Sequence, residues 1–103
     1  MEDKDSLLKA VDNYDLYTPA EKKVLKTLIE ISINNIAIIS VKKLTALANI
    51  SRPIVYKALA TLQKDNTIER TIHGTSKKRS FTIKQNKLLE IAQYYKLYLE
   101  KIT

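Results

Sequence analysis

Hydrophobic residues recur every three or four positions through residues 44–62, in two runs separated by a short polar break. This spacing places each run on one face of a helix, so it predicts two short amphipathic helices, 41–48 and 52–64. The runs consist of Leu44, Leu47 and Ala48, and then of Val55, Ala58, Leu59 and Leu62.

The break between the two helices contains residues suited to a tight turn. Asn49 tolerates the left-handed backbone that ends many helices. The Ser51 hydroxyl is placed to cap the second helix, and Pro53 falls in its first turn, where a missing N–H costs nothing. Two helices joined in this way predict a helix-turn-helix, whose second helix enters the major groove of DNA.

The residues before this pair predict further elements. Residues 5–16 favour a short helix, and a second helix begins strongly at Thr18, because Pro19 follows and Glu21 completes a capping box. We expect this second helix to end near residues 34–35. The apolar run 36–39 predicts a short strand, and Ser40 is the expected cap of helix 41–48.

The residues after the pair predict a β-hairpin and a final helix. Residues 67–72 and 80–84 alternate between polar and apolar side chains, and Gly74 lies in the loop between them. Residues 86–102 form the last helix, with Asn86 as its expected cap. The predicted fold class is mainly α with a small β-hairpin (α+β), in a chain of 103 residues that has room for one modest core.

Charge is distributed unevenly along the chain. The net charge is +7, yet residues 1–17 carry two basic and five acidic side chains, whereas residues 41–84 carry ten basic side chains against Asp65 and Glu69. A basic middle segment is suited to a polyanion such as a nucleic acid. A solvated, lysine-rich surface is the alternative that charge alone leaves open.

Several classes of function lack their residues. With no Cys and a single histidine, His73, the sequence offers no disulfide and no metal site, and we expect no cofactor. No nucleophile–base set or phosphate-binding glycine loop is evident, so we expect a protein that is not an enzyme. No apolar run approaches the roughly 20 residues of a membrane span, and the acidic N-terminus is unlike a secretory signal. We therefore expect a cytoplasmic protein without a membrane partner.

The string Ile50-Ser51-Arg52-Pro53-Ile54-Val55-Tyr56-Lys57-Ala58-Leu59, followed by Leu62 and Ile68-Glu69-Arg70, carries a resemblance. The chain resembles a winged helix-turn-helix DNA-binding domain, similar to transcriptional regulators of the multiple-antibiotic-resistance-regulator type. The resemblance covers residues 18–85, between an N-terminal arm (1–17) and a C-terminal segment (86–103). Two departures are Asn66-Thr67, where such domains often carry Gly, and Thr45, where Ala is usual.

The resemblance implies a recognition helix at 52–64 in the major groove and a wing at 73–79 on the backbone or in the minor groove. Arg52 is the candidate base reader, because its planar group can donate two hydrogen bonds to guanine. Tyr56 is expected at a phosphate, sugar or thymine methyl, or alternatively packed beside the wing as part of the core. The expected DNA-binding residues are Ser40, Lys42, Lys43, Ser51, Arg52, Pro53, Tyr56, Lys57, Lys64, Lys77, Lys78 and Arg79.

The last helix carries apolar residues at coiled-coil spacing. The positions are Leu88, Ala92, Tyr95, Leu99 and Ile102, with steps of four and three residues. We expect them to form a homodimer contact together with the N-terminal residues Leu7, Leu8, Val11, Tyr14, Leu16 and Tyr17. The alternative is that this helix folds back onto a single core. A two-fold dimer predicts a palindromic DNA site.

The leading functional hypothesis is a sequence-specific regulator of transcription that binds double-stranded DNA, as a dimeric repressor. One alternative keeps DNA binding but assigns it to replication or partition of a plasmid or virus. Another alternative is a winged-helix protein-interaction module without DNA binding. The operator, the regulated genes and any small-molecule effector stay open.

Overall fold

The computed structural model describes residues 3–72 and 79–102, and for Ile72 and Ile102 the backbone alone. Residues 73–78, with the loop expected to form the wing tip, lie outside the described part. Within it, five helices and three strands follow one another along the chain. They are α1 (Lys4–Asp12), α2 (Pro19–Ile31), β1 (Ile36–Ile39), α3 (Val41–Ala48), α4 (Arg52–Lys64), β2 (Ile68–Ile72), β3 (Arg79–Ile83) and α5 (Gln85–Ile102).

The three strands form one antiparallel sheet in the order β1-β3-β2. Phe81 lies at its centre, opposite Ala37 on one side and Arg70 on the other. Alternate side chains of β1 are buried and exposed, so Ala37 and Ile39 face the helices. The expected α+β class is thereby confirmed: the described chain is mainly helical and carries a small antiparallel sheet.

Helix α2 lies at the middle of the core. Leu25 and Leu28 are fully buried, and α2 packs against α1, α3 and α4. Burying one such leucine stabilises the fold by about 1.5–3 kcal/mol. All five helices and the sheet contribute side chains to the same hydrophobic cluster, which includes Val11, Leu44, Leu59, Phe81 and Ile91.

The beginnings of α2 and α3 agree with the sequence predictions. The Thr18 hydroxyl accepts a hydrogen bond from the Glu21 N–H at 3.2 Å, and the Glu21 carboxylate accepts one from the Thr18 N–H at 3.0 Å. This is the reciprocal capping box. The Ser40 hydroxyl likewise accepts from the Lys43 N–H at 3.1 Å, at the start of α3.

Two helices end earlier than predicted. α1 stops at Asp12 rather than at residue 16, and α2 stops at Ile31 rather than near residues 34–35. The reason for the second difference is a tight turn, in which Ile33 and Ile36 exchange hydrogen bonds of 2.9 and 3.1 Å. Asn34 and Asn35 have φ angles of 54° and 65°. This left-handed pair reverses the chain into β1.

Two further details of the prediction are wrong. Asn86 is not a cap, because α5 already begins at Gln85 and the Lys84 carbonyl accepts from the N–H groups of Lys87 and Leu88. Leu47 is half exposed rather than part of the core. Helix α3 has 8 residues, about two turns, and its buried face consists of Val41, Leu44 and Ala48.

Candidate nucleic-acid interface

Helices α3 and α4 are joined by a turn of three residues. Asn49 ends α3 in the left-handed conformation, with φ 57° and ψ 47°, as predicted. Its N–H donates to the Thr45 carbonyl at 3.0 Å. Ile50 packs against the core, and the Ser51 carbonyl accepts the first hydrogen bond of α4, from Val55 at 3.0 Å. The core therefore holds the two helices in a fixed relation.

Ser51 caps α4 by position but not with its hydroxyl. The residue has the extended backbone of a cap, yet its side chain makes no capping hydrogen bond, which corrects the sequence prediction. A capping hydroxyl accepts from the second or third helical N–H. Pro53 occupies the second position and has no N–H, so one of the two usual donors is missing. The exposed Ser51 hydroxyl keeps its hydrogen-bonding capacity for another partner.

Helix α4 has a buried face and a basic outer face. Its buried side chains are Val55, Ala58, Leu59 and Leu62. Pro53, Lys57, Ala60 and Lys64 are exposed and follow one another in steps of four, three and four residues, which places them on the opposite side of the helix.

Tyr56 and Arg52 flank the outer face of α4. The Tyr56 side chain is 48% exposed, which disfavours the alternative that it belongs to the core. Arg52 is also exposed, in the first turn of the helix. Both side chains are therefore accessible to a partner that approaches the first two turns of α4.

The first turns of α3 and α4 carry cations and no acid. Lys42 and Lys43 occupy this position in α3, and Arg52 occupies it in α4, whereas α1 and α2 have Asp5 and Glu21 there. The first turn of α5 also lacks an acid, but its cation, Lys87, is ion-paired with Asp65 and Glu90. The positive end of the helix dipole favours acids and disfavours cations. Both helices thus depart from the arrangement that stabilises an isolated helix, and an anionic partner is what this arrangement suits.

The cations of α3 and α4 also form none of the ion pairs in the described part of the chain. The lysines that form ion pairs there are Lys26, Lys84 and Lys87, with Asp12, Glu69, and Asp65 and Glu90 respectively. Five cations of α3 and α4 are exposed and, like Lys9, Lys23 and Lys96 elsewhere, form no ion pair with the carboxylates of residues 3–72 and 79–102. We call these five the cationic surface, and they are Lys42, Lys43, Arg52, Lys57 and Lys64.

The expected wing is described only at its base. Arg79 begins β3, pairs in register with Ile39 and Ile72, and is partly buried. Lys77, Lys78 and His73 lie outside the described residues. Asn66, at the position where the resemblance led us to expect Gly, has a φ angle of 63° and so adopts the conformation that Gly would supply.

The structure corrects part of the expected dimer contact. Leu88 is only 2% exposed, and Val11, Tyr14 and Tyr17 are buried with it in the same core, because α1 packs on α5 within the chain. Ala92 and Tyr95 are partly exposed, and Ile102 lies outside the described side chains. The exposed large apolar residues of α5 are Leu89 in its first half and Leu97, Tyr98 and Leu99 further along.

One cluster of hydrogen-bonded side chains was not predicted from the sequence. Tyr17, before α2, contacts Asp65 and Thr67, after α4, through its hydroxyl group. These residues are about fifty positions apart, so no local pattern links them. In the sequence, Asp65 stands out only as an acidic residue that follows Lys64 at the end of the predicted helix 52–64.

The sequence matches no protein-family model, and none of the curated proteins searched is similar enough to be called a relative. Across residues 3–72 and 79–102, no group of three or more potential ligands among His, Cys, Asp and Glu is placed to hold a metal ion. Nor does that part of the chain contain a helix with the length and apolarity to cross a bilayer.

Proposed function

We propose that the protein binds double-stranded DNA through the cationic surface, as a winged helix-turn-helix regulator similar to the multiple-antibiotic-resistance-regulator type. The observation that carries this proposal is the pair of acid-free, cationic first turns on α3 and α4. The phosphates of a DNA backbone would attract these cations and so offset their unfavourable interaction with the helix dipoles. Protein-interaction modules have no comparable need for such an arrangement.

The residues divide into base readers and phosphate contacts. Arg52 is the base reader, since its guanidinium can donate two parallel hydrogen bonds to guanine O6 and N7. Ser51 and Tyr56 lie in the same turns and contact the neighbouring groove edge. The lysines, each a point charge on a flexible stem, bind phosphates. Lys57 and Lys64 do so along α4, and the N-terminus of α3 binds a phosphate through its lysines and N–H groups.

The proposed regulator is a cytoplasmic homodimer that represses by occupying a promoter. Tyr98 and Leu99 on α5 are 40% and 39% exposed and share one face of the helix with the partly exposed Tyr95, and a second copy would bury this face. Dimerisation through the distal end of α5 would present two α4 helices to one face of DNA, about 34 Å apart, and would require a palindromic site.

The test is selection of bound sequences from a random duplex pool, followed by titration of the selected and a random duplex at 50 and 200 mM salt. Arg52→Ala should weaken binding to the selected duplex by about 1–3 kcal/mol and relax base preference. Lys64→Ala should weaken both duplexes alike and reduce the salt slope by about one. Lys96→Ala, an exposed lysine of α5, is the matched control and should change neither.

Absence of salt-dependent binding by the wild type would contradict the proposal and favour the protein-interaction module. Equal effects of all three variants would contradict the assignment of DNA binding to α4. The mass in solution, measured on the same samples, tests the dimer separately.

A further inference from the structure

A partly buried polar cluster joins the segment before α2 to the end of α4. The Tyr17 hydroxyl donates to Asp65 Oδ2 at 2.9 Å, and its oxygen lies against the Thr67 hydroxyl. Asp65 Oδ1 accepts from the Thr67 N–H at 3.2 Å and from the Thr67 hydroxyl. Both oxygens of one carboxylate are thus engaged, one by the segment before α2 and the other by the segment before β2.

Asp65 is also the residue that ends α4. Its N–H donates to the Thr61 carbonyl at 3.1 Å, so the backbone of Asp65 continues the hydrogen bonding of that helix. Lys87 of α5 lies 3.9 Å from Asp65 Oδ2 and 2.7 Å from Glu90. The C-terminal end of α4 is therefore tied to the segment between α1 and α2 by a hydrogen bond and to α5 by an ion pair.

The burial of two of its side chains restricts this cluster to one arrangement. Thr67 is fully buried and Tyr17 is 6% exposed. A buried polar group that loses its partner is costly, so such groups tolerate little displacement. In the described part of the chain, every buried side-chain nitrogen or oxygen has a partner. A shift of the end of α4 would separate the Tyr17 hydroxyl from both of its contacts, Asp65 and Thr67.

A shift at one end of α4 reaches the other end, because the helix is rigid and its middle is held in the core. Its 13 residues span about 20 Å, and Arg52 lies at the end opposite to Asp65. If the helix pivots at the buried Leu59, about halfway along, a displacement of Asp65 by about 1 Å moves the first turn by about 1 Å in the opposite direction. A hydrogen bond to a base edge holds only over a few tenths of an ångström around 2.9 Å. Base reading therefore needs the far end of α4 to be fixed.

We propose that Tyr17 is a positioning residue of the DNA-binding surface: through Asp65, its hydroxyl fixes the C-terminal end of α4 and so sets the orientation of the Arg52 turn. This inference rests on the proposed function. Tyr17 lies outside the surface that touches DNA, and its removal acts on sequence discrimination rather than on charge.

The experiment compares Tyr17→Phe with Tyr14→Phe in the full chain. Tyr14 is the matched control, because it is only 3% exposed, its ring centroid lies 4.9 Å from that of Tyr17, and its hydroxyl contacts Glu90 of α5 instead of α4. Affinities for the selected and the random duplex are measured well below the melting temperature of each variant. Tyr17→Phe should lower the selected-to-random ratio about tenfold, and Tyr14→Phe should leave it within about twofold.

Asp65→Asn tests the same hydrogen bond at its acceptor, since it keeps the side-chain volume but replaces one carboxylate oxygen with an NH2 group. It should lower the ratio similarly, and the double variant Tyr17→Phe/Asp65→Asn should be no worse than either single variant. This second variant also covers the case in which Tyr17→Phe does not fold.

The outcomes separate the two proposals. Wild-type protein that fails to bind any duplex overturns the proposed function and this inference with it. Wild-type binding with an unchanged ratio in folded Tyr17→Phe and Asp65→Asn overturns the positioning role alone. A salt slope that changes in Tyr17→Phe would also contradict the inference, because a positioning residue contributes no phosphate contact.

Discussion

Replacement of Thr18 by alanine tests whether the hydrogen bonds at the helix beginnings carry the energy that their geometry indicates. The Thr18 hydroxyl accepts from the Glu21 N–H at 3.2 Å, while the side chain itself is exposed. Thr18→Ala therefore removes a capping hydrogen bond and little packing. We expect a loss of about 1 kcal/mol in the free energy of unfolding. For a chain of 103 residues this lowers the melting temperature by about 4–5 °C.

Ser51→Ala is the matched control, because Ser51 occupies the same position before α4 but its hydroxyl caps nothing. Its expected effect on the free energy of unfolding is within about 0.5 kcal/mol of zero. Urea denaturation followed by circular dichroism at 222 nm, with thermal melts in parallel, measures both variants. Equal destabilisation by Thr18→Ala and Ser51→Ala would refute the reasoning, since it would mean that the hydroxyl of Ser51 does cap α4 in solution.

Three further predictions use other features of the chain. Asn49 is exposed and has a left-handed backbone, so Asn49→Gly should leave the urea midpoint nearly unchanged, whereas Asn49→Val should lower the free energy of unfolding by about 1–2 kcal/mol. Equal effects of the two variants would contradict the left-handed conformation of this residue. If the four lysines of the cationic surface contact phosphates, the affinity of one protomer should fall about 150-fold between 50 and 200 mM salt, and a fall under about tenfold would contradict their role. Burial raises the pKa of Tyr17 above its ordinary value near 10, so this phenol contributes stability that is complete below about pH 10 and is lost as pH rises further. The difference in unfolding free energy between the wild type and Tyr17→Phe should be constant up to pH 9 and then shrink by at most about 1.4 kcal/mol per pH unit, and a constant difference up to pH 11 would contradict this.

Local features were predictable from the sequence because their causes lie within a few residues. The Thr18–Glu21 box, the Ser40 cap and the left-handed Asn49 each depend on side chains that act on their own turn of backbone. The same local reasoning failed at Ser51, where the proline two positions later removes a donor that a capping hydroxyl uses. Capping therefore has to be judged from the first turn as a whole.

Long-range features escaped the sequence because no pattern encodes which apolar residue meets which partner. The heptad spacing of α5 is compatible with a dimer seam and with packing inside the chain, and the burial of Leu88 shows that part of it is used internally. The Tyr17–Asp65–Thr67 cluster depends on a fold that brings together residues about fifty positions apart. The candidate base reader, Arg52, was predictable because its turn is local, whereas the support behind that turn was not.

The most direct test of the account is a map of the surface that duplex DNA touches. Backbone amide chemical shifts of isotopically labelled protein, recorded as a selected duplex is added at low salt, report each residue separately. We predict the largest changes at Lys42–Lys43 and across residues 51–57, with little change at Leu97 and Leu99. Changes confined to α5, or no changes at all at saturating DNA, would contradict the claim that the first turns of α3 and α4 form the DNA-binding surface.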